Sequence, residues 1–185
     1  VTTLYARPLE AQTRIVVPEV TEGLCGASRP GHFDGVSTIV GMLFNLVQPD
    51  LACFGEKDYQ QLAVIRQLVA EMQFPLDIVG AEIVREDDGL ARSSRNQYLD
   101  EAARAAAPQL YRVLREMRAA CAAGLPRELV EQSASAALTD AGFVGDYAVV
   151  RQRDLAEPAD DVPGERVALL AARIGSTRLI DNLEF

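Results

Sequence analysis

The stretch Leu51-Ala52-Cys53-Phe54-Gly55-Glu56-Lys57-Asp58-Tyr59-Gln60-Gln61-Leu62 passes from four apolar residues, through a glycine, into charged and amide side chains. Leu51 to Phe54 reads as a short buried strand closed by Gly55. Leu62, Ile65, Leu68, Val69 and Met72 then recur at helical spacing, with Gln60, Arg66, Gln67 and Glu71 on the opposite side. Leu76 to Val84 is rich in β-branched residues and reads as a second strand. Strand, helix, strand of this size is a βαβ crossover on a parallel sheet. Ligands of such sheets lie beyond the carboxyl ends of the strands, where helix N-termini offer free N–H groups. The turn FGEKD, residues 54–58, occupies that position.

Working outward, Thr13 to Val17 reads as a further short strand ended by Pro18. Val36, Ile39, Val40, Leu43 and Val47 predict a helix that stops near Gln48, because Pro49 disfavours helix in the residue before it. Past the second strand, REDDG (residues 85–89) breaks the apolar pattern and places a boundary between Val84 and Gly89. Residues 101–124 predict a helix interrupted near Pro108, and residues 127–141 another. Extended segments follow at 147–150, 167–172 and 178–181. The expected organisation is a partial α/β domain with a parallel sheet over residues 1–84, then a small α+β domain with an antiparallel sheet over 85–185.

Composition excludes several functions. The chain has 185 residues, 49% of them apolar, enough for a real core, and no apolar run near the ~20 residues that span a bilayer. Three cysteines without CxxC spacing read as reduced thiols of a cytoplasmic protein. A single histidine, His32, rules out a multi-histidine metal site. The net charge of −9 argues against a duplex nucleic acid partner, which needs a concentrated basic face. A small anion needs only a few cations and N–H groups.

Three stretches could supply them. In FGEKD, Gly55 would let a ligand approach the backbone, Lys57 is a point charge suited to phosphate, and Asp58 could cap the next helix. Lys57 and Gln61 share a face if the helix starts promptly. A turn with a solvated lysine is an equal alternative. In SRPGHFDG, residues 28–35, Arg29 could fork a carboxylate and His32 could bond a hydroxyl; a rigid loop capped by Asp34 reads as well. SSRN, residues 93–96, could grip a polyphosphate or simply turn. No GxxxxGK[ST], GxGxxG or Ser/His/Asp arrangement occurs.

Taken together and in order, RPGHFDGVSTIV (29–40), LFNLVQPDLACFGEKDYQQLAVIRQLV (43–69), DGLARSSRNQYL (88–99) and STRLIDN (176–182) resemble the pantoate–β-alanine ligase, or pantothenate synthetase, family. The resemblance implies a Rossmann-like, nucleotidyltransferase-like sheet related to class I aminoacyl-tRNA synthetases. It implies condensation of pantoate with β-alanine through a pantoyl adenylate, with ATP as substrate, Mg2+ accompanying it, and a homodimer for the complete enzyme. It implies ATP contacts from Gly55, Glu56, Lys57, Asp58, Val84 (through its backbone), Arg92, Ser93, Ser94 and Arg95. Lys57, Ser93, Ser94 and Arg95 would carry the chemistry. Pantoate would meet Gln61, Arg29 and His32, with Val36, Ile39 and Val40 as an apolar wall. No protein metal ligand, nucleic acid or membrane is implied.

The family's PTMG-like loop and HxGH motif do not occur in these residues, so the chain is expected to be the carboxyl-terminal portion, inactive by itself. Arg92 stands where the family usually has Met or Leu, and Cys25 where it usually has Glu. Two other readings remain at this stage: an adenylate-forming enzyme with another acid substrate, and a nucleotide-binding module without turnover.

Overall fold

The computed structural model describes residues 13–158 and 165–185. They divide into two compact units, one reaching to Gly55 and resuming over Tyr59–Ala81, the other formed by Glu56–Asp58 and Glu82–Phe185.

The first unit holds α1 (Leu24–Ser28), α2 (His32–Val47), β1 (Leu51–Gly55), α3 (Tyr59–Glu71) and β2 (Asp77–Ala81). Gly31, with φ of 74°, makes the left-handed entry into α2. Gln48 closes that helix in the left-handed region just before Pro49. The strands pair in parallel from Leu51 opposite Asp77 to Gly55 opposite Ala81, with α3 as the crossover. Phe44 of α2 meets Phe54 and Phe74 edge-on, with ring centroids 6.4 and 5.6 Å away. Val64 and Ile65 of α3 are wholly buried beside Leu62 and Leu68.

Four expectations change here. Thr13 to Val17 forms no strand among the described residues; the Ile15 N–H donates to Thr38 Oγ1 at 2.9 Å instead of to a ladder. β1 is not a buried strand: Leu51, Cys53 and Gly55 are exposed and Ala52 and Phe54 half-buried, because the strand has one covered face. β2 stops at Ala81, short of Val84. Gln60 does not belong to an exposed stripe. It is buried, with its amide nitrogen donating to the Val20, Glu22 and Gly23 carbonyls and its oxygen accepting from the Cys25 N–H. A buried amide persists where backbone groups satisfy both of its ends.

In the second unit, an isolated bridge pairs Arg85 with Ala91, and Ser94–Tyr98 forms a short 3-10 turn. Next come α4 (Glu101–Ala106), α5 (Gln109–Ala122), α6 (Arg127–Asp140), β3 (Val144–Gln152), β4 (Arg166–Ile174) and β5 (Thr177–Glu184). Asp100 caps α4 through the Ala103 N–H, and Pro108, which has no N–H to give, separates α4 from α5. The strands form an antiparallel sheet in the order β3-β4-β5. Leu110, Val113, Leu114 and Met117 of α5 and Val130 and Leu138 of α6 share one core with Val150 and Leu170. Thr177 to Asn182 are buried without a break, four of the six being polar or charged. No described helix is long and apolar enough to cross a membrane.

Candidate active site

Lys57 lies in the turn Glu56–Asp58, just after β1 and two residues ahead of α3. The helix starts too late to include it, so Lys57 and Gln61 are not one helical turn apart. Of the 18 basic residues in the chain, 17 are arginine, and Lys57 is the only lysine. Its turn is held by a side chain remote in sequence. Asn182 Nδ2 donates to the Glu56 carbonyl at 2.8 Å and to the Lys57 carbonyl at 3.0 Å. Burial lowers the pKa of the Lys57 amine below the ordinary 10.5; the Asp181 and Asp58 carboxylates pull it back, while Arg95 and Arg85 push it down. Burial thus leaves the amine without a full shell of water, so a positive charge there is drawn more strongly to a nearby anion. A Cβ built at Gly55 meets open space, so the backbone there is accessible.

Arg85 and Asp181 stand behind this turn. The guanidinium forks the carboxylate at 2.7 and 3.0 Å, donates to the Gly89 and Asn182 carbonyls, and lies 3.8 Å over the Tyr111 ring. Burial pushes the Asp181 carboxyl above the usual carboxylate range, and the Arg85 fork opposes that shift. With both terminal nitrogens engaged, Arg85 is a structural cation. Arg95 is the opposite: it is exposed and makes no ion pair among the described residues.

SSRN begins with Ser93 in extended conformation, its Oγ accepting the Arg95 N–H at 3.2 Å. Asn96 Nδ2 donates to the Ala91 carbonyl. Ser94 and Arg95 are exposed. Arg92 points outward and pairs with Glu86 at 3.2 Å, both side chains well exposed. The Val84 carbonyl accepts the Arg92 N–H at 2.9 Å.

The remaining candidates belong to the first unit. His32 opens α2, and Arg29 Nη1 stands 2.9 Å from its Nε2. A guanidinium only donates, so Nε2 is the acceptor in this contact. His32, Val36, Ile39 and Val40, spaced 4, 3 and 1 along α2, form one half-buried stripe. Gln61 is half-buried in the first turn of α3. Among the described residues, no group of three or more His, Cys, Asp or Glu is placed to hold a metal ion.

Sequence reasoning overlooked Gln60, Arg85, Asp181 and Asn182. The last two had a signal: adjacent polar residues at the end of an extended segment need partners if both faces are covered. Arg85 had none, since it sits in a string that reads as a linker.

The family model described as pantoate-beta-alanine ligase matches residues 1–184. The chain belongs to the pantoate–β-alanine ligase family. A pantothenate synthetase of Xanthomonas euvesicatoria is 59% identical over 185 residues, covering 100% of this chain and 66% of that protein. One of Stenotrophomonas maltophilia is 59% identical over 98% of this chain and 65% of its own length. The chain therefore spans slightly less than two thirds of these ligases. A crystal structure of pantothenate synthetase from Thermus thermophilus matches with a TM-score of 0.87 at 44% identity, over 93% of this chain and 63% of that one. A pantoate-β-alanine ligase from Francisella tularensis, complexed with β-γ ATP and β-alanine, matches with a TM-score of 0.73 at 29% identity, over 93% and 58%.

Proposed function

We propose that this chain carries part of the machinery that condenses pantoate with β-alanine at the expense of ATP. The observation that carries the reading is Lys57, the chain's only lysine, held in the turn after a parallel strand with Asp58, Asp181 and Arg95 around it. Family membership over nearly the whole chain supports it.

In the first step a pantoate carboxylate oxygen attacks the α-phosphorus of ATP, and the bond to the β-phosphate breaks, releasing pyrophosphate. Negative charge shifts toward the leaving group, and Lys57 and Arg95 are the cations that oppose it. Gly55, Glu56 and Asp58 line the same turn; Val84, Ser93 and Ser94, and Arg92 once it leaves its exposed pair with Glu86, join them as ATP contacts. Gln61, Arg29 and His32 direct pantoate's hydroxyl and carboxylate groups, and Val36, Ile39 and Val40 take its methyl groups. In the second step the β-alanine amine attacks the acyl carbon and AMP leaves, a reaction that needs positioning and exclusion of water rather than a protein nucleophile. The described residues build no carboxylate cage for Mg2+. The ion would arrive on the triphosphate oxygens, where it offsets their charge. The reading expects a cytoplasmic homodimer with the two units as functional domains.

Pyrophosphate release tests it. The protein containing this chain is given ATP and β-alanine with pantoate or with other hydroxy acids. Release with pantoate and not with its analogues is expected; equal release with several acids would redirect the reading to another adenylate-forming enzyme, and none with any acid would sink it.

A further inference from the structure

The Lys57 turn has no helix of its own and no strand partner, yet it belongs to the same compact unit as the C-terminal sheet. The side chain that bonds its carbonyls comes from that sheet: Asn182, which is 4% exposed on β5. A carboxamide nitrogen has two hydrogens, and Asn182 directs them to two consecutive carbonyls, of Glu56 and Lys57. Two bonds from one rigid planar group fix the two peptide planes on either side of the Lys57 Cα, and with them the direction in which the Lys57 side chain leaves the backbone.

The donor is itself immobilised. Asn182 follows Asp181, whose Oδ1 accepts the Asn182 N–H at 2.9 Å. The Arg85 guanidinium bonds both Asp181 oxygens and the Asn182 carbonyl. Arg85 is clamped in turn by Tyr111 and the Gly89 carbonyl. A continuous chain of contacts thus runs from α5 through Arg85 and β5 to the turn.

We infer that Asn182 is a positioning residue that aims Lys57 for the reaction, with Arg85 and Asp181 holding Asn182 in place. This rests on the proposed role of Lys57. Asn182 touches no reacting group and acts only through the turn. The charged groups that face Lys57 are Asp181, Asp58, Arg95 and Arg85, so a shifted turn also changes the field at the amine.

Two measurements test the inference. The first is pantoate-dependent exchange of labelled pyrophosphate into ATP by the protein containing this chain, for Asn182→Asp, Asn182→Ala, Lys57→Ala and the Asn182→Ala/Lys57→Ala pair. Asn182→Asp keeps the volume while replacing a double donor with an acceptor, so it covers the case where Asn182→Ala does not fold. Each Asn182 variant should lose about a hundredfold in rate, the scale of a small misplacement, with KM for ATP nearly unchanged. The pair should be no slower than Lys57→Ala alone, because Asn182 works through Lys57. Losses that multiply in the pair would overturn the inference and leave Asn182 an independent structural residue.

The second measurement needs no turnover. Reductive methylation of the protein containing this chain with labelled formaldehyde marks its amines, Lys57→Arg identifies the Lys57 signal, and its titration is then followed by NMR. In variants with wild-type circular dichroism, the Lys57 pKa should rise toward the ordinary lysine value, since a loosened turn is better hydrated. An unchanged titration in both Asn182 variants overturns the inference. A shifted titration without pantoate-dependent exchange in the wild type would uphold the positioning and count against the proposed function instead.

Discussion

Two short segments of the second unit carry the cations proposed for ATP, and they are held in contrasting ways. Glu56–Asp58 is fastened from outside, by Asn182 and by the Arg85–Asp181 pair behind it. Ser93–Asn96 is held mainly by short-range bonds, Ser93 Oγ accepting the Arg95 N–H and Asn96 donating to the Ala91 carbonyl. β5 reaches only the far end of its 3-10 turn, where Thr177 Oγ1 donates to the Tyr98 carbonyl at 3.5 Å. Arg85 has both terminal nitrogens engaged, whereas Arg95 is exposed without an ion pair among the described residues. A group fixed before the ligand arrives loses little entropy when it acts; a local, exposed turn can move at small cost and close on a ligand later. The same unit therefore contains one pre-set cation and one adjustable one.

The comparison breaks most easily at the anchor. Asp181→Ala would leave Arg85 without its carboxylate and should destabilise the chain by about 3 to 5 kcal/mol, read as a lower urea midpoint. An unchanged midpoint would mean that Arg85 does not fasten the turn. Lys57→Ala should cost about 3 to 4 kcal/mol in the rate of adenylate formation while leaving the urea midpoint almost unmoved; Gln61→Ala, by contrast, should raise KM for pantoate with little change toward ATP. Gly89→Ala should destabilise by about 1 to 3 kcal/mol, because φ is +93° and the new Cβ would lie 2.7 Å from Tyr111 Cδ1. Its detection is by thermal unfolding, and a neutral result would remove Gly89 from the clamp around Arg85.

The local segment should respond in the opposite sense. Ser94→Ala with Arg95→Ala is expected to shift stability by less than about 0.5 kcal/mol, yet to slow adenylate formation while sparing the attack of β-alanine on supplied pantoyl adenylate. Equal slowing of both half-reactions would refute that division of labour. The smallest effect is expected at Asp88. The Arg104 side-chain bond, then the Leu90 N–H, hold its carboxyl below the ordinary 3.8, so the contribution is present above that pH and lost as pH falls through the lowered value. Both partners are substantially exposed, so Arg104→Ala should leave the neutral-pH midpoint unchanged within error.

The parallel crossover and the antiparallel sheet were legible because apolar spacing reports which faces are covered. The end of α2 was legible because Pro49 acts locally. The Thr13 to Val17 strand failed for the complementary reason: β-branched composition states a preference, while a strand also needs a ladder partner, and Ile15 bonds a threonine hydroxyl. Gln60 failed because periodicity assigns amides to water, whereas three carbonyls accept from this one and one N–H donates to it. Lys57 and SSRN could be singled out from residue type, but their unequal anchoring could not. That difference depends on Asn182 and Asp181, whose partners lie far away in the chain.

The distance between donor and acceptor sets a schedule for the newly made polypeptide. Asn182 binds the Lys57 carbonyl across 125 positions, so the turn leaves the ribosome long before the strand that fastens it exists. At about 5 to 20 residues per second, the wait is roughly 6 to 25 s. During that interval the lysine's direction is unset, and its geometry is completed only as β5 joins the sheet.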